Sequence, residues 1–303
     1  MAGGSPGGAF PDSPRERMRG IMMVATAAVL WSTAGVFVRL ATLDTPSLVL
    51  WRSLFGAVTL FTLAIARGGP RRITAVARSG WVGALFVSTS VVAGIAFVLS
   101  LRLTTVANVM TVYAALPFIA TAIAFFWIHE RVNARFLVAG ALAAAGIVVM
   151  AGASTGLADI AGIGAAFVMT AGFAVQLVAI RRHGRVDVMS LNGWAAVLCV
   201  PVMLPFVPWV LPAPAQLGWA AAYGALTTGC AYVLALEGGR RVPPGEVGFI
   251  SMLDVVLGPL WVWLAFGEQP GPLVMAGGVV VLGAVAWYLW TTVERAPARA
   301  AMG

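Results

Sequence analysis

Runs of about twenty apolar residues alternate with short polar segments along nearly the whole chain. A helix of ~20 apolar residues crosses the ~30 Å hydrocarbon core of a bilayer, so each run reads as one span. Ten such runs are predicted, at residues 19–40, 46–66, 79–101, 104–128, 136–153, 160–180, 188–210, 215–236, 247–267 and 271–292. The uncharged stretch from Val188 to Leu236 is too long for one helix, and Pro208, Pro212 and Pro214 divide it. The first run follows three arginines and superficially resembles a secretory signal. It is longer than a signal's apolar region and nine more runs follow, so it is expected to remain as a helix. Residues 1–18 ahead of it, rich in Gly, Pro and Ser at their start, read as a disordered tail, and 293–303 as a second tail.

Composition agrees with this pattern. Of 303 residues 60% are hydrophobic and 10% charged, against roughly 25% charged in soluble domains. The class expected is an all-α, multi-pass membrane protein in contact with lipid. The net charge of +8 raises the question of nucleic acid, which the placement of the charges answers in the negative. All 19 basic residues are arginines. Sixteen fall in the N-terminal tail, the C-terminal tail or the loops after the second, fourth, sixth and eighth runs. By the positive-inside rule those segments and both termini are cytoplasmic, and the span number is even. Arg39 and Arg102 sit at span ends on the other side, and Arg52 alone lies inside a span. Cys199 and Cys230 both lie in apolar runs and read as small buried side chains, not as a disulfide or a metal site. No cofactor or metal is expected.

The two halves of the chain resemble each other. Ala96-Phe97-Val98-Leu99-Ser100-Leu101 parallels Ala231-Tyr232-Val233-Leu234-Ala235-Leu236, and Glu130 after the fourth run parallels Glu268 after the ninth. The repeat unit is five spans, residues 19–153 and 160–292. Because five is odd, the second copy is inverted in the membrane. Inverted repeats place a transporter's substrate site near the midplane between the copies.

The chemistry is concentrated in the ninth run. Asp254 is the only ionisable residue between Val247 and Gly267, and an acid within a span is costly unless it faces a cavity or a partner. Ser251, Asp254, Gly258 and Trp261 share one helical face, and Gly258 with Pro259 is the expected place for the helix to break. This face is read as one wall of an aqueous pathway. Other candidates for the cavity are Trp31 and Ser32 in the first span, Asn108 and Tyr113 in the fourth, Phe173 and Gln176 in the sixth, and Tyr223 and Thr227 in the eighth. Buried amides and hydroxyls equally suit helix pairing, at roughly 0.6 kcal/mol each. Arg52 differs in depth from Asp254 by roughly 10 Å at 1.5 Å per residue. It is read as structural, snorkelling outward or bonding to freed carbonyls.

Val29-Leu30-Trp31-Ser32-Thr33-Ala34-Gly35 in the first span, Trp51-Arg52 in the second, Pro117 followed by Glu130 in the fourth, and Asp254 in the ninth resemble the drug/metabolite transporter superfamily, in its EamA branch. The resemblance runs from about residue 19 to 292 and is nearest to YddG-type bacterial amino-acid exporters. One departure is that Val255 stands where many members have a Pro, and Pro259 follows instead. The resemblance implies a ten-span basket in the bacterial inner membrane. It also implies export of small metabolites, among them aromatic and other neutral amino acids.

There is no Gly-x-x-x-x-Gly-Lys-Ser/Thr loop, so ATP hydrolysis by this chain is not expected. No span contains a His and no pair of buried acids occurs, which argues against an intramembrane enzyme. The expectation is a secondary transporter whose coupled proton, if there is one, is carried by Asp254. A multidrug or lipophilic-cation exporter is the alternative.

Overall fold

The computed structural model describes residues 14–69, 71–74, 79–129, 134–152, 156–183, 187–242 and 244–293. Every regular element among them is helical. The first half holds α1 (Pro14–Ser32), α2 (Ala34–Leu40), α3 (Thr45–Gly68), the short α4 (Arg71–Thr74), α5 (Gly80–Leu103), α6 (Val106–Ala114), α7 (Leu116–Ile128) and α8 (Ala134–Ala151). The second half holds α9 (Leu157–His183), α10 (Val188–Met203), α11 (Pro214–Tyr223), α12 (Ala231–Gly239), α13 (Pro244–Ser251), α14 (Leu253–Phe266) and α15 (Pro272–Val293). A 3₁₀ turn, Leu204–Phe206, extends α10, and a π-wound segment, Gly224–Cys230, joins α11 to α12.

Eight helical stretches among the described residues are long and apolar enough to cross a membrane. The pair α6–α7, bent by 41°, makes a ninth. In the last predicted span the shorter stretch Pro272–Tyr288 is apolar. Exposed apolar side chains such as Phe126, Val148, Leu264 and Val279 cover the outside of the bundle, as lipid-facing surfaces require.

Local chemistry accounts for several boundaries. The Asp44 carboxylate accepts from the Ser47 N–H and caps α3, with Pro46 in the first turn. Thr105 caps α6 by accepting from the Asn108 N–H at 3.2 Å. Pro117 has no N–H to donate, and the chain turns at Ala115 before α7 begins. Gly267, at φ 70°, closes α14 in the left-handed conformation that glycine adopts without strain.

Some boundaries differ from the sequence expectation. Helix α1 starts at Pro14, so residues 14–18 are helical rather than tail, and Glu16 and Arg17 make cross-helix ion pairs there. The first span breaks at Thr33, where the Ser32 and Thr33 hydroxyls donate back to the carbonyls of Val29 and Leu30. The ninth span breaks at Met252, not at Pro259, which lies inside α14. The early break leaves Asp254 in the first turn of α14, where the positive end of the helix dipole favours a carboxylate. Glu130, the counterpart of Glu268 in the first repeat, and the tails 1–13 and 294–303 lie outside the described residues.

Corresponding spans of the two halves pack on each other: α3 on α10, α6 on α14, and α8 on α15. Between α8 and α15 the backbones touch, since a Cβ on Gly277 would collide with the Gly146 carbonyl oxygen. The contact of α3 with the π-wound segment is as close. A Cβ on Gly224 would collide with the Arg52 carbonyl oxygen, so no other residue fits without moving a helix.

Candidate functional site

A cavity of about 320 Å³ lies between the two halves. On α9 it is lined from Met169 to Ile180, three residues before the helix ends at His183. On α10 it is lined from Asn192 to Cys199, and on α5 from Phe86 to Phe97. The cavity therefore runs from mid-bundle toward the end where α9 stops at His183 and α10 begins at Val188.

The opposite end is tied shut. Arg39 donates to Glu268 through Nε at 3.1 Å and Nη2 at 2.8 Å, and through Nη1 to the Leu101 carbonyl at 2.5 Å. The other Glu268 oxygen accepts the Val106 N–H at the start of α6. Arg102 donates to the Ala41 and Leu43 carbonyls, each at 2.7 Å. Thr104 donates to Asp159, and Asn108 donates to Thr104 at 2.8 Å and to Asp159 at 3.3 Å.

Six of the eleven candidates from the sequence line the cavity: Trp31, Tyr113, Phe173, Gln176, Thr227 and Asp254. Their rings and polar groups come from five separate spans. Trp31 donates its indole N–H to the Thr227 carbonyl at 2.9 Å and meets Tyr232 edge-on at 6.0 Å. That carbonyl belongs to the π-wound segment, whose i→i+5 pattern is frequent at functional sites. Tyr113 and Phe173 meet edge to face at 6.2 Å across α6 and α9. Asp254 is 6% exposed, and its Oδ1 has no hydrogen-bond partner among the described residues.

The other five lie outside the lining. Ser32 accepts the Trp261 indole N–H at 2.9 Å, a bond that ties the α1–α2 break to α14. Asn108 belongs to the closed end. Tyr223 is fully buried, stacked on Phe37 at 5.7 Å. Ser251 ends α13, and the break at Met252 separates it from the face that carries Asp254, Gly258 and Trp261. Gly258 packs against Met110, which places Asp254 one turn away, beside Tyr113.

The cavity also contains residues that the sequence reading set aside or did not select. Arg52, 9% exposed, donates Nη2 to the Gly94 carbonyl at 2.9 Å and lies 5.2 Å from the centre of the Tyr223 ring. Of the two roles open to it, snorkelling outward and bonding to a carbonyl, the structure shows the second, and the place in the wall was not expected. Ser53, Ser90, Asn192, Thr228 and Tyr232 line it as well. The signal for Arg52 was available, as it is the one arginine in a span interior. Among the described residues no group of three His, Cys, Asp or Glu is placed to hold a metal ion.

A model of the EamA-like transporter family matches the chain twice, over residues 18–152 and 156–290. The chain belongs to that family. As an EamA-like protein it is a multi-pass membrane protein of a transporter family built from two copies of one repeat. A solved structure described only as the crystal structure of a protein is 22% identical to it. The alignment covers 91% of this chain and 97% of that one, with a TM-score of 0.64, so the two share a fold. No curated protein matches the chain.

Proposed function

We propose that this EamA-like protein is a secondary transporter that exports small metabolites across a bacterial inner membrane by alternating access. Its substrates are neutral amino acids, aromatic ones among them, as in the YddG-type exporters it resembles. In this reading the chain has ten spans in two inverted repeats with cytoplasmic termini. The cavity then faces the cytoplasm, and the Arg39–Glu268 end is the closed periplasmic side.

The observation that carries the reading is the pairing of functions in one cavity. Buried Arg52 and buried Asp254 both line it, with the rings of Trp31, Tyr113, Phe173 and Tyr232 in the remaining wall. Small-molecule sites are mostly apolar with a few placed polar groups and measure ~300–1,000 Å³, so a cavity of about 320 Å³ suits a metabolite of amino-acid size. Ionisable groups within a membrane mark substrate or proton pathways, and Asp254 is the group proposed to bind the substrate cation and to carry a coupled proton.

The test is uptake of radiolabelled amino acids into proteoliposomes, with and without an imposed pH gradient. Saturable flux of Phe, Met or Thr supports the reading. Gradient-driven flux that vanishes in Asp254→Asn assigns the proton to Asp254. Gradient-driven flux that survives the substitution removes that role. A second reading, export of lipophilic cations, is favoured by Asp254 standing beside aromatic rings and opposed by Arg52 in the same wall. Flux of a quaternary ammonium compound without flux of any zwitterion would select it.

A further inference from the structure

Eight buried side-chain polar atoms lack a hydrogen-bond partner among the described residues. Four of them, Arg52 Nε, Ser90 Oγ, Gln176 Nε2 and Asp254 Oδ1, belong to residues that line the central cavity. Buried polar groups in folded proteins are nearly always paired, so orphans gathered around one cavity point to partners supplied by a ligand.

Their placement is polar in a second sense. Arg52 on α3 is bonded to Gly94 of α5, and Ser90 lies one turn from Gly94 on the same face of α5. Gly172 of α9 packs against Thr89 and Ala93 of α5, and Gln176 follows it by one turn. Three orphan groups able to donate hydrogen bonds therefore gather around two turns of α5. The orphan acceptor, Asp254 Oδ1, is on α14 beside α6, in a different wall. No carboxylate pairs with Arg52 among the described residues. Of its five N–H bonds, one goes to Gly94 and the planar group rests on the Tyr223 ring. A guanidinium with its Nε unpaired and no carboxylate partner in a low-dielectric wall is matched by an anionic oxygen acceptor.

We infer that Arg52, with Ser90 and Gln176 beside it, is the anion pole of the cavity and binds the carboxylate of the transported molecule. This deepens the transport reading and rests on it. It makes Arg52 the specificity-determining residue that separates carboxylates from amines of the same shape. A single positive side chain with neutral donors suits a carboxylate's one charge better than a phosphate's two.

Cys199 lines the same cavity and is one of two cysteines in the chain, so it can report on the field there. In purified full-length Cys230→Ser protein, mixed-disulfide formation at Cys199, with release of methanesulfinate, is followed with an anionic and a cationic methanethiosulfonate of similar size. The expected result is faster reaction with the anion, on the order of tenfold relative to Arg52→Gln, because focused fields raise local ion concentrations by that much or more. Arg52→Lys is expected to keep the preference. 3-Phenylpropionate and L-phenylalanine should slow the labelling, and phenethylamine should not. Ser90→Ala with Gln176→Leu should weaken protection by the acids severalfold, which tests the pole even where Arg52→Gln does not fold.

A reagent ratio unchanged by Arg52→Gln overturns the proposal. So does protection by the amine equal to that by the acids, stronger protection by phenyl phosphate, or no labelling by either reagent. The transport reading fails separately if the labelling pattern holds while proteoliposomes show no flux of any probe.

Discussion

At one end of the bundle Arg39 and Arg102 direct their hydrogen bonds to main-chain carbonyls and a partly buried glutamate, whereas at the other end Arg17, Arg19 and Arg240 pair with acids at the surface and the partly buried Arg241 bonds to Glu16 and Glu237. Arg39 and Glu268 are 23% and 25% exposed, Arg17 and Glu246 56% and 39%. The chemistry is the same in both places, an arginine facing a carboxylate, yet only the first set joins α2, α5, α6 and the segment after α14 into one knot. The second set ties α1 to α12 and α13 and leaves the space between α5, α9 and α10 clear. Exposed ion pairs contribute ~0–1 kcal/mol and are screened by salt. Hydrogen bonds from charged groups contribute ~1.5–3 kcal/mol, and those of Arg39 and Arg102 to the main chain run between elements, whereas the main-chain bond of Arg241 goes to Glu237, four residues back. The cavity reaches toward the end where most ion pairs are exposed.

Substitutions can break or sharpen that contrast. The largest effect is expected from Glu268→Gln, which removes the charge facing Arg39 and replaces one of the two oxygens that accept from Arg39 and the Val106 N–H with a donor. A loss of about 2 kcal/mol in thermal unfolding in detergent is expected, since hydrogen bonds to charged groups contribute ~1.5–3 kcal/mol. A cysteine placed at Thr105 should also become reachable by aqueous reagents in that variant. Asn108→Ala removes the amide bonds to Thr104 and Asp159, which stay bonded to each other, and is expected to cost ~1–2 kcal/mol by the same measurement. Trp31→Phe removes one neutral hydrogen bond to Thr227, ~1 kcal/mol, and its effect should fall on transport more than on melting. The smallest change is expected from Arg17→Gln, under ~1 kcal/mol and absent in high salt. If Arg17→Gln destabilised the protein as much as Glu268→Gln, the contrast between the two ends would be wrong.

The spans were legible in the sequence because a run of about twenty apolar residues flanked by arginines suits little besides a bilayer. Asp254 was legible because an acid in such a run is conspicuous. Which face of each helix looks inward was not. In a bilayer the lipid-facing and core-facing sides are both apolar, so the residues that meet the cavity on α10, such as Ala195, Ala196 and Cys199, resemble those that meet lipid. Tyr223 and Trp261 carry the chemistry expected of a pocket, but the first is buried on Phe37 and the second bonds to Ser32. Pro117 stands next to one helix break, in a run that reads as continuous. The breaks at Thr33 and Met252 have no proline. They become visible only when Ser32 meets Trp261 and Asp254 meets the cavity.

The π-wound turn of the eighth span has a consequence for chain length. Winding i→i+5 takes up about one residue more than an α-helix would over the same distance. Removing a residue between Gly224 and Cys230 would leave a continuous apolar helix of acceptable composition. Because the wide turn takes up the removed residue, α12 would keep its place and Tyr232 its side of the helix. With Gly224 locked against the Arg52 carbonyl, the change would fall on the turn itself, where the Thr227 carbonyl accepts the Trp31 indole N–H. The eighth span thus carries one residue beyond what a continuous helix needs, and that residue serves the binding wall rather than the crossing of the membrane.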